Sequence, residues 1–272
     1  SSNNINKCKE LKKNVTLNTL GIGFGETWSF SKQTIDRFNG FLLDYMGIPL
    51  PRYRGGAHFT WMILQNEKNN GACLQIINDK MVQGIFDSGD VVLRLSFKNK
   101  NTWEIKDYFL NHSINAIKLI EKFLKIIKTR DIKSLKIDES KNYFLPRLNT
   151  EMNGWVNWYT WNTKEIIDFI RAFGNPYKGG SSFIGNKRVY LLNPRLKLKH
   201  KFHPFQNGLI CNINSDSYDV ITLNGIISLN IIFDKKNQKN IKVGEKIYTP
   251  FHILENASLS QANYNSNGLI KK

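Results

Sequence analysis

Residues 50–56 of the sequence, LPRYRGG, decide how the first half of the chain folds. A short apolar stretch at 41–46 precedes them and is typical of a strand, whereas a helical pattern with Trp61 and Leu64 on its inner face follows them. Glycine lets a backbone approach a ligand closely, and the first turn of a helix offers N–H groups that have no intrahelical partner. The sequence therefore predicts a tightly shaped loop at the mouth of a binding cleft.

Strands and helices are predicted to alternate on both sides of this loop. The stretch 17–24 predicts a buried strand, and Ser31 is a good N-cap for a short helix after it. Beyond the loop, 73–77 and 81–86 predict a hairpin, and 91–97 predicts one more strand. This alternation is typical of an open α/β sheet, which binds ligands at the carboxyl ends of its strands.

The longest helix is predicted over 111–128. Five apolar residues at helical spacing would form its core face: Ile114, Ile117, Ile120, Leu124 and Ile127. The charged stretch 129–141 follows and indicates a boundary between two domains, 1–142 and 143–272.

The second half opens with a well-marked helix. Asn162 is its predicted N-cap, Glu165 completes a capping box, and Gly174 with Pro176 ends it. From 183 onward the sequence predicts short strands separated by turn residues, which is typical of a small β-barrel of the OB type.

Composition restricts the class of protein. The 272 residues are 41% hydrophobic with a net charge of +17, and no apolar run is long enough to cross a membrane. Lysine supplies most of the positive charge and is spread along the chain, so an anionic small molecule or a tRNA are both open as partners. The three cysteines have no metal-ligand spacing, so we predict reduced thiols, no metal site and a cytoplasmic protein.

Several motifs occur in an order and spacing that resemble a known family. The LPRYRGG loop is followed by Trp61 and then by DSGD at 87–90; the second half has IRAF at 170–173, PYKGG at 176–180 and VGEK at 243–246. Together they resemble the 10-formyltetrahydrofolate-dependent formyltransferases. The resemblance implies a Rossmann-like α/β domain followed by an OB-like barrel, and transfer of a formyl group from 10-formyltetrahydrofolate to a primary amine.

The resemblance also implies a folate-contacting set, which would be Trp28, Phe30, Arg52, Arg54, Gly55 and Gly56. Its active-site asparagine and histidine fall on Asp44 and Met46, and only the family's aspartate is kept, as Asp87. Methionine cannot transfer a proton. We predict that His58 replaces the family's histidine and contacts Asp87 directly or through one water. Neighbouring carboxylates would then keep the His58 ring in its charged imidazolium form. Alternatively, His58 only packs at the start of its helix.

Three functions stay open at this stage. A nucleotide-linked amino sugar is the preferred acceptor, because no arginine-rich insertion suited to tRNA is evident. A methionyl-tRNA formyltransferase-like enzyme is the second possibility, and a silent relative that only binds a ligand is the third. Because only sixteen residues precede the strand at 17–24, we expect the family's first strands to be missing, and we expect that edge to be covered or to form a homodimer.

Overall fold

The computed structural model describes residues 5–25, 30–128, 133–234, 240–265 and 268–269. Its first half contains five helices and six strands: α1 (Lys9–Asn14), β1 (Gly21–Phe24), α2 (Lys32–Arg37), β2 (Leu42–Met46), β3 (Arg54–Gly55), α3 (His58–Leu64), β4 (Asn69–Ile76), α4 (Asp79–Val82), β5 (Val91–Lys98), α5 (Ile105–Ile127) and β6 (Phe144–Leu145). None of the described helices combines the length and apolar character needed to cross a membrane.

A four-stranded mixed sheet with the order β1-β2-β4-β5 organises this half. Strands β1 and β2 run parallel, whereas β4 is antiparallel to both of its neighbours. Phe24 pairs with Tyr45, and Asp44 pairs with Gln75 on the adjacent strand. The carboxyl ends of β1 and β2 therefore lie side by side, as expected of an α/β fold, and the loop at 50–56 follows directly from that edge.

The predicted hairpin at 73–86 is wrong. Strand β4 pairs with β5, and the segment between them contains the short helix α4. The side chain of Asn78 accepts a hydrogen bond from the Lys80 N–H and so caps this helix. A turn-forming residue and a helix N-cap have the same local chemistry, and the sequence pattern could not separate them.

The core face predicted for α5 is only partly right, because Ile120 and Ile127 pack against the core, whereas Ile114, Ile117 and Leu124 are exposed. The helix begins at Ile105, six residues before the predicted start, behind a capping box of Glu104 and Asp107. Leu119 and Phe123 pack against β2 and β4, whereas Ile117, predicted to be buried, is 62% exposed. The helix has apolar residues on more than one face, and the sheet covers only the face with the aromatic anchor.

The described part of the second half contains three α-helices and eight strands: α6 (Thr150–Asn153), α7 (Thr163–Ala172), β7 (Gly180–Ile184), β8 (Lys187–Lys199), β9 (Ile210–Ile213), β10 (Tyr218–Thr222), β11 (Gly225–Phe233), β12 (Ile247–Tyr248), α8 (Phe251–Leu259), β13 (Tyr264–Asn265) and β14 (Gly268–Leu269).

The last two of these strands, β13 and β14 (Gly268–Leu269), pair only with each other among the described residues. The other six form one antiparallel sheet with the order β12-β7-β8-β11-β10-β9. Its two edges approach each other, because the Ile210 N–H donates to the Glu245 carbonyl at 2.9 Å and the Ile247 N–H donates to the Gly208 carbonyl at 2.8 Å. The sheet thus curls into a partly closed barrel, with no strand of the first sheet in it.

The predictions for α7 are confirmed. Asn162 accepts hydrogen bonds from the Lys164 and Glu165 N–H groups, and the Glu165 carboxylate accepts from the Asn162 N–H. Ile170 and Phe173 are buried, as is Trp158, whose indole N–H donates to the Ser182 hydroxyl at 2.9 Å. Caps and stop signals fixed this helix locally, and its apolar face covers the curled sheet.

Helices α3 and α7 pack against each other and join the two halves. The Thr60 hydroxyl donates to the Ala172 carbonyl at 3.2 Å, and Met62 and Ile63 share one apolar core with Ile166. The inner face of α3 is therefore formed by Thr60, Met62 and Ile63, whereas Trp61 and Leu64, predicted to form it, are only partly buried. The loop that precedes α3 is consequently fixed from both halves of the molecule.

Candidate active site

The end of the LPRYRGG loop is clamped to the segment that follows α5. Strand β3 pairs in parallel with β6, and the Gly56 N–H donates to the Leu145 carbonyl at 3.0 Å. Gly55 has φ of +104°, and a Cβ there would lie 2.1 Å from the Leu145 carbonyl oxygen. Only glycine fits this position, because both its backbone angle and its close contact exclude a side chain.

The two arginines of the loop form internal ion pairs. Arg52 donates to Glu67 at 2.7 Å, and Arg54, which is only 4% exposed, donates to both carboxylate oxygens of Glu139 at 2.8 and 3.1 Å. The Arg54 pair also lowers the pKa of the Glu139 carboxyl. In the described residues these guanidinium groups form ion pairs that hold the loop in shape; both belong to the set predicted to contact folate.

Asp87 lies in a strained turn that faces the loop. Its backbone has φ of +55°, a left-handed conformation that aspartate tolerates better than most residues. Its Oδ2 accepts a hydrogen bond from the Gly55 N–H at 3.1 Å. Such strained positions concentrate at functional sites, where the surrounding structure maintains them.

His58 contacts the same glycine from the other side. Its Nε2 lies 3.0 Å from the Gly55 carbonyl oxygen, so Gly55 links His58 to Asp87 through its carbonyl and its N–H. Within the described residues, His58 and Asp87 share no direct hydrogen bond. Because a carbonyl oxygen can only accept, Nε2 carries the proton and Nδ1 is left as the basic nitrogen of a neutral ring.

The protonation state predicted for His58 is wrong. Burial lowers the pKa of His58, and this effect outweighs the opposing influences of Asp87 and of the hydrogen bond to Gly55; Arg147 lowers the pKa further. The sequence suggested only the attraction of nearby carboxylates and not the cost of enclosing a charged ring. A neutral imidazole near pH 7 is the form that accepts a proton.

Asp44 projects from β2 beside two residues of β4. Its Oδ2 accepts a hydrogen bond from Gln75 Nε2 at 3.3 Å, and Gln75 is fully buried with no partner for its Oε1 among the described residues. Burial raises the pKa of the neighbouring Cys73 thiol to about 12, Arg94 opposes the shift, and Asp44 and Asp87 both add to it. The thiol is thus protonated and lies within electrostatic range of both predicted carboxylates.

Two aromatic residues, Trp28 and Phe30, were predicted to contact folate. Phe30 packs with Ile35 and Phe38 beside α2, and Trp28 lies outside the described residues. Phe24, at the carboxyl end of β1, is 54% exposed, and its ring centre lies 5.5 Å from that of Tyr45. Phe24 is therefore a half-exposed aromatic surface at the strand-end edge.

His112 was not predicted from the sequence. It projects from α5 toward the residue after β2, and a Cβ on Gly47 would lie 2.0 Å from its Nδ1. Its ring centre is 4.7 Å from that of Tyr45 and 5.8 Å from that of Phe59. His112 lies on the same face of α5 as Tyr108 and Leu119. A correct prediction of that core face would therefore have included His112.

Comparison with known proteins connects this geometry to a family. The sequence model of the formyl transferase C-terminal domain matches residues 149–244. The methionyl-tRNA formyltransferase of Clostridium acetobutylicum is 27% identical over 248 residues, which cover 89% of this chain and 73% of that protein. The bifunctional polymyxin resistance protein ArnA of Wigglesworthia glossinidia brevipalpis is 24% identical over 169 residues; the aligned region is 62% of this chain but only 24% of that longer protein.

Solved structures agree on the fold. HypX from Aquifex aeolicus, crystallised with tetrahydrofolic acid, superposes with a TM-score of 0.65 at 17% identity, covering 97% of this chain and 43% of that one. WlaRD, a sugar 3N-formyl transferase, superposes with a TM-score of 0.58 at 17% identity, covering 79% of this chain and 73% of that one.

The two halves of the chain are thus similar to the same family, each through a different comparison. The second half matches the family's C-terminal domain directly, and the alignment with the Clostridium protein extends through most of the first half. The LPRYRGG loop and the turn of Asp87 also meet in space, joined by Gly55. The chain is thus similar to formyltransferases along most of its length, and residues 149–244 match the C-terminal domain of that family.

Proposed function

We propose that this protein transfers a formyl group from 10-formyltetrahydrofolate to a primary amine, with Asp44, His58 and Asp87 as its catalytic set. The observation that carries the proposal is the unit formed by His58, Gly55 and Asp87. It fixes a neutral imidazole at the edge where α/β folds bind ligands. A positioned base of this kind typically contributes about a hundred- to ten-thousand-fold in rate.

In this proposal His58 handles the proton. Its Nδ1 accepts the proton that the amine loses and returns it to the leaving nitrogen, while Nε2–H stays bonded to the Gly55 carbonyl. Asp87 holds Gly55 from the opposite side, so it positions the carbonyl that orients the ring. Asp44 and Gln75 supply polar atoms on the neighbouring strands, where one buried oxygen of Gln75 has no partner among the described residues.

The residues at this edge are of the types that could bind a folate. Phe24 offers a half-exposed ring for a flat heterocycle, and the glycine-rich loop allows a close approach of its backbone. When bound, 10-formyltetrahydrofolate supplies the formyl group. Arg52, Arg54 and Gly56 act in this proposal by shaping the loop, since each of them already donates a hydrogen bond to an internal partner.

A nucleotide-linked amino sugar is the proposed acceptor. One similar structure, with a TM-score of 0.56 at 18% identity, is an N-formyltransferase from Helicobacter canadensis in complex with folinic acid and dTDP-3-aminofucose. The net charge of +17 favours an anionic acceptor of this type.

Methionyl-tRNA is the second candidate acceptor. The alignment with the Clostridium methionyl-tRNA formyltransferase, which covers 89% of this chain, favours it. An OB-like barrel after residue 142 would offer a second surface to a tRNA, and the curled sheet β12-β7-β8-β11-β10-β9 supports this domain assignment. A cytoplasmic location belongs to the same proposal.

A transfer assay tests the function directly. The protein is incubated with 10-formyltetrahydrofolate and, separately, with a dTDP-linked amino sugar, with methionyl-tRNA or with no acceptor. We expect tetrahydrofolate and an N-formylated sugar to form together. Formylation of methionyl-tRNA alone would move the assignment to the second candidate. Folate binding without transfer to either acceptor would contradict enzymatic function and favour a silent, ligand-binding relative.

A homodimer through the free edge of β1 is part of the proposal as well. Strand β1 pairs only with β2 among the described residues, and exposed edges favour association. Light scattering should then give twice the chain mass of 31.5 kDa. A monomer that persists at high protein concentration would contradict it.

A further inference from the structure

His112 occupies a close-fitting notch at the carboxyl end of β2. Gly47 does not have a left-handed backbone, but a Cβ at this position would lie 2.0 Å from Nδ1 of the His112 ring. Tyr45 fixes the helix from the strand side, because its hydroxyl donates to the His112 carbonyl at 2.8 Å. Phe59 of α3 contacts the ring from the side that carries His58.

The protonation state of His112 follows from its surroundings. Burial lowers the pKa of His112, and the nearby His58 lowers it further, so the ring is neutral near pH 7. Its Nδ1 is buried with no hydrogen-bond partner among the described residues. An orphaned buried N–H is rarer than an orphaned acceptor, and we therefore assign the single proton to Nε2. His112 then offers an N–H donor where His58 offers an acceptor.

We propose that His112 is a second catalytic residue of the formyl transfer, donating from Nε2 to the formyl oxygen while His58 accepts the proton of the amine. This inference rests on the proposed function. The amine nitrogen forms a bond to the formyl carbon, and the bond from that carbon to its carrier nitrogen breaks. The proton lost by the amine passes through His58 Nδ1 to the departing nitrogen, so neither imidazole changes its charge over the cycle.

The two rings have different tasks because their neighbours differ. His58 faces Asp87, Arg147, the Gly55 carbonyl and His112, and the carboxylate of Asp87 stabilises a transient positive charge on it. His112 faces His58 and the rings of Tyr45 and Phe59. Without a neighbouring carboxylate in that set, His112 is poorly placed to become charged and well placed to remain a neutral donor.

Replacement of the ring without loss of its shape tests the proposal. His112→Phe keeps the packing against Tyr45 and Phe59 and removes both nitrogens. We expect kcat to fall about 10²–10³-fold, as for the loss of one donor to a developing oxyanion, with KM nearly unchanged. Gly47→Ala should lower kcat in the same direction by displacing the ring. His252→Phe, on the exposed face of α8, is the matched control and should leave kcat unchanged.

A binding measurement separates this proposal from the proposed function. Nitrogen-15 NMR of the imidazoles, with the stable analogue 5-formyltetrahydrofolate, should shift the Nε2 signal of His112 and not that of His252. If the wild type transfers no formyl group, the proposed function fails, and this shift alone decides the role of His112 as a ligand-contacting group. A His112→Phe enzyme with kcat within threefold of the wild type, or an unshifted Nε2 signal, would overturn the proposal. If His112→Phe does not unfold cooperatively, Gly47→Ala and the NMR shift decide.

Discussion

The second half of the chain is determined by local signals, whereas the first half depends on long-range packing. In α7, Asn162 and Glu165 cap each other, and the apolar face points where its spacing predicts. In α5, apolar residues occur on two faces, and only contact with the sheet decides that Leu119 is buried and Ile117 is exposed. A helix cap can be identified from four residues of sequence, but the sequence does not show which of two apolar faces of a helix will be buried.

The difference matters because the candidate active site lies in the first half. Gly55 and His58 are three residues apart, whereas Asp87 lies 32 residues beyond Gly55, and the strand that carries Gly55 pairs with β6. His112 comes from α5, whose core face was only partly predicted, since Ile120 and Ile127 pack against the core while Ile117 is exposed. The error in that face concealed a histidine that lies at the end of β2.

Removal of the proposed base should have the largest effect. His58→Gln removes the basic nitrogen, and we expect kcat for formyl transfer to fall by about 10²–10⁴-fold. Binding of 5-formyltetrahydrofolate, measured by calorimetry, should change little because His58 lies on Gly55 rather than on the aromatic surface of Phe24. Met46→Leu, at the position of the family's histidine, is the control and should stay within about tenfold of the wild type. Equal losses in both variants would show that His58 has no special role.

A pair of substitutions in α5 tests the packing of the first half. Leu119→Ala should lower the free energy of unfolding by about 2–5 kcal/mol, because its side chain is fully buried against the sheet. Ile117→Ala should change it by less than about 0.5 kcal/mol, because that side chain is exposed to solvent. Urea denaturation of the two variants measures both values. If Ile117→Ala were instead the more destabilising of the two variants, Ile117 would lie on the core face, as the apolar spacing alone predicts.

Loss of a cap in the second half should have a smaller effect. Asn162→Ala removes the acceptor for two N–H groups at the start of α7 and should cost about 1 kcal/mol. Asn162→Asp keeps an acceptor at this position and should recover most of the loss. Thermal unfolding of both variants checks the order. Equal stability of Asn162→Ala and the wild type would mean that packing alone fixes the helix.

The sequence motifs indicated the resemblance to formyltransferases and most of the strands, and they predicted that Asp44, His58 and Asp87 lie near one another. Asp44 and Asp87 both influence the Cys73 thiol, and His58 and Asp87 meet at Gly55. The motifs could not give the charge of His58, because a carboxylate is visible in a sequence whereas the enclosure of a ring is not. The ion pairs of Arg52 and Arg54 were similarly hidden, since Glu139 lies 85 residues from Arg54 along the chain.

The pH dependence of formyl transfer tests the central claim, that a neutral His58 accepts the proton of the amine. Burial lowers the pKa of His58, so the basic form predominates at pH 7 and is lost as the pH falls through that lowered value. We expect kcat/KM to stay nearly level from pH 8 down to about 6.5, the ordinary pKa of histidine, and to decline below it. This decline should be absent from the residual activity of His58→Gln. A decline centred above pH 6.5, or one that His58→Gln leaves unchanged, would contradict the claim.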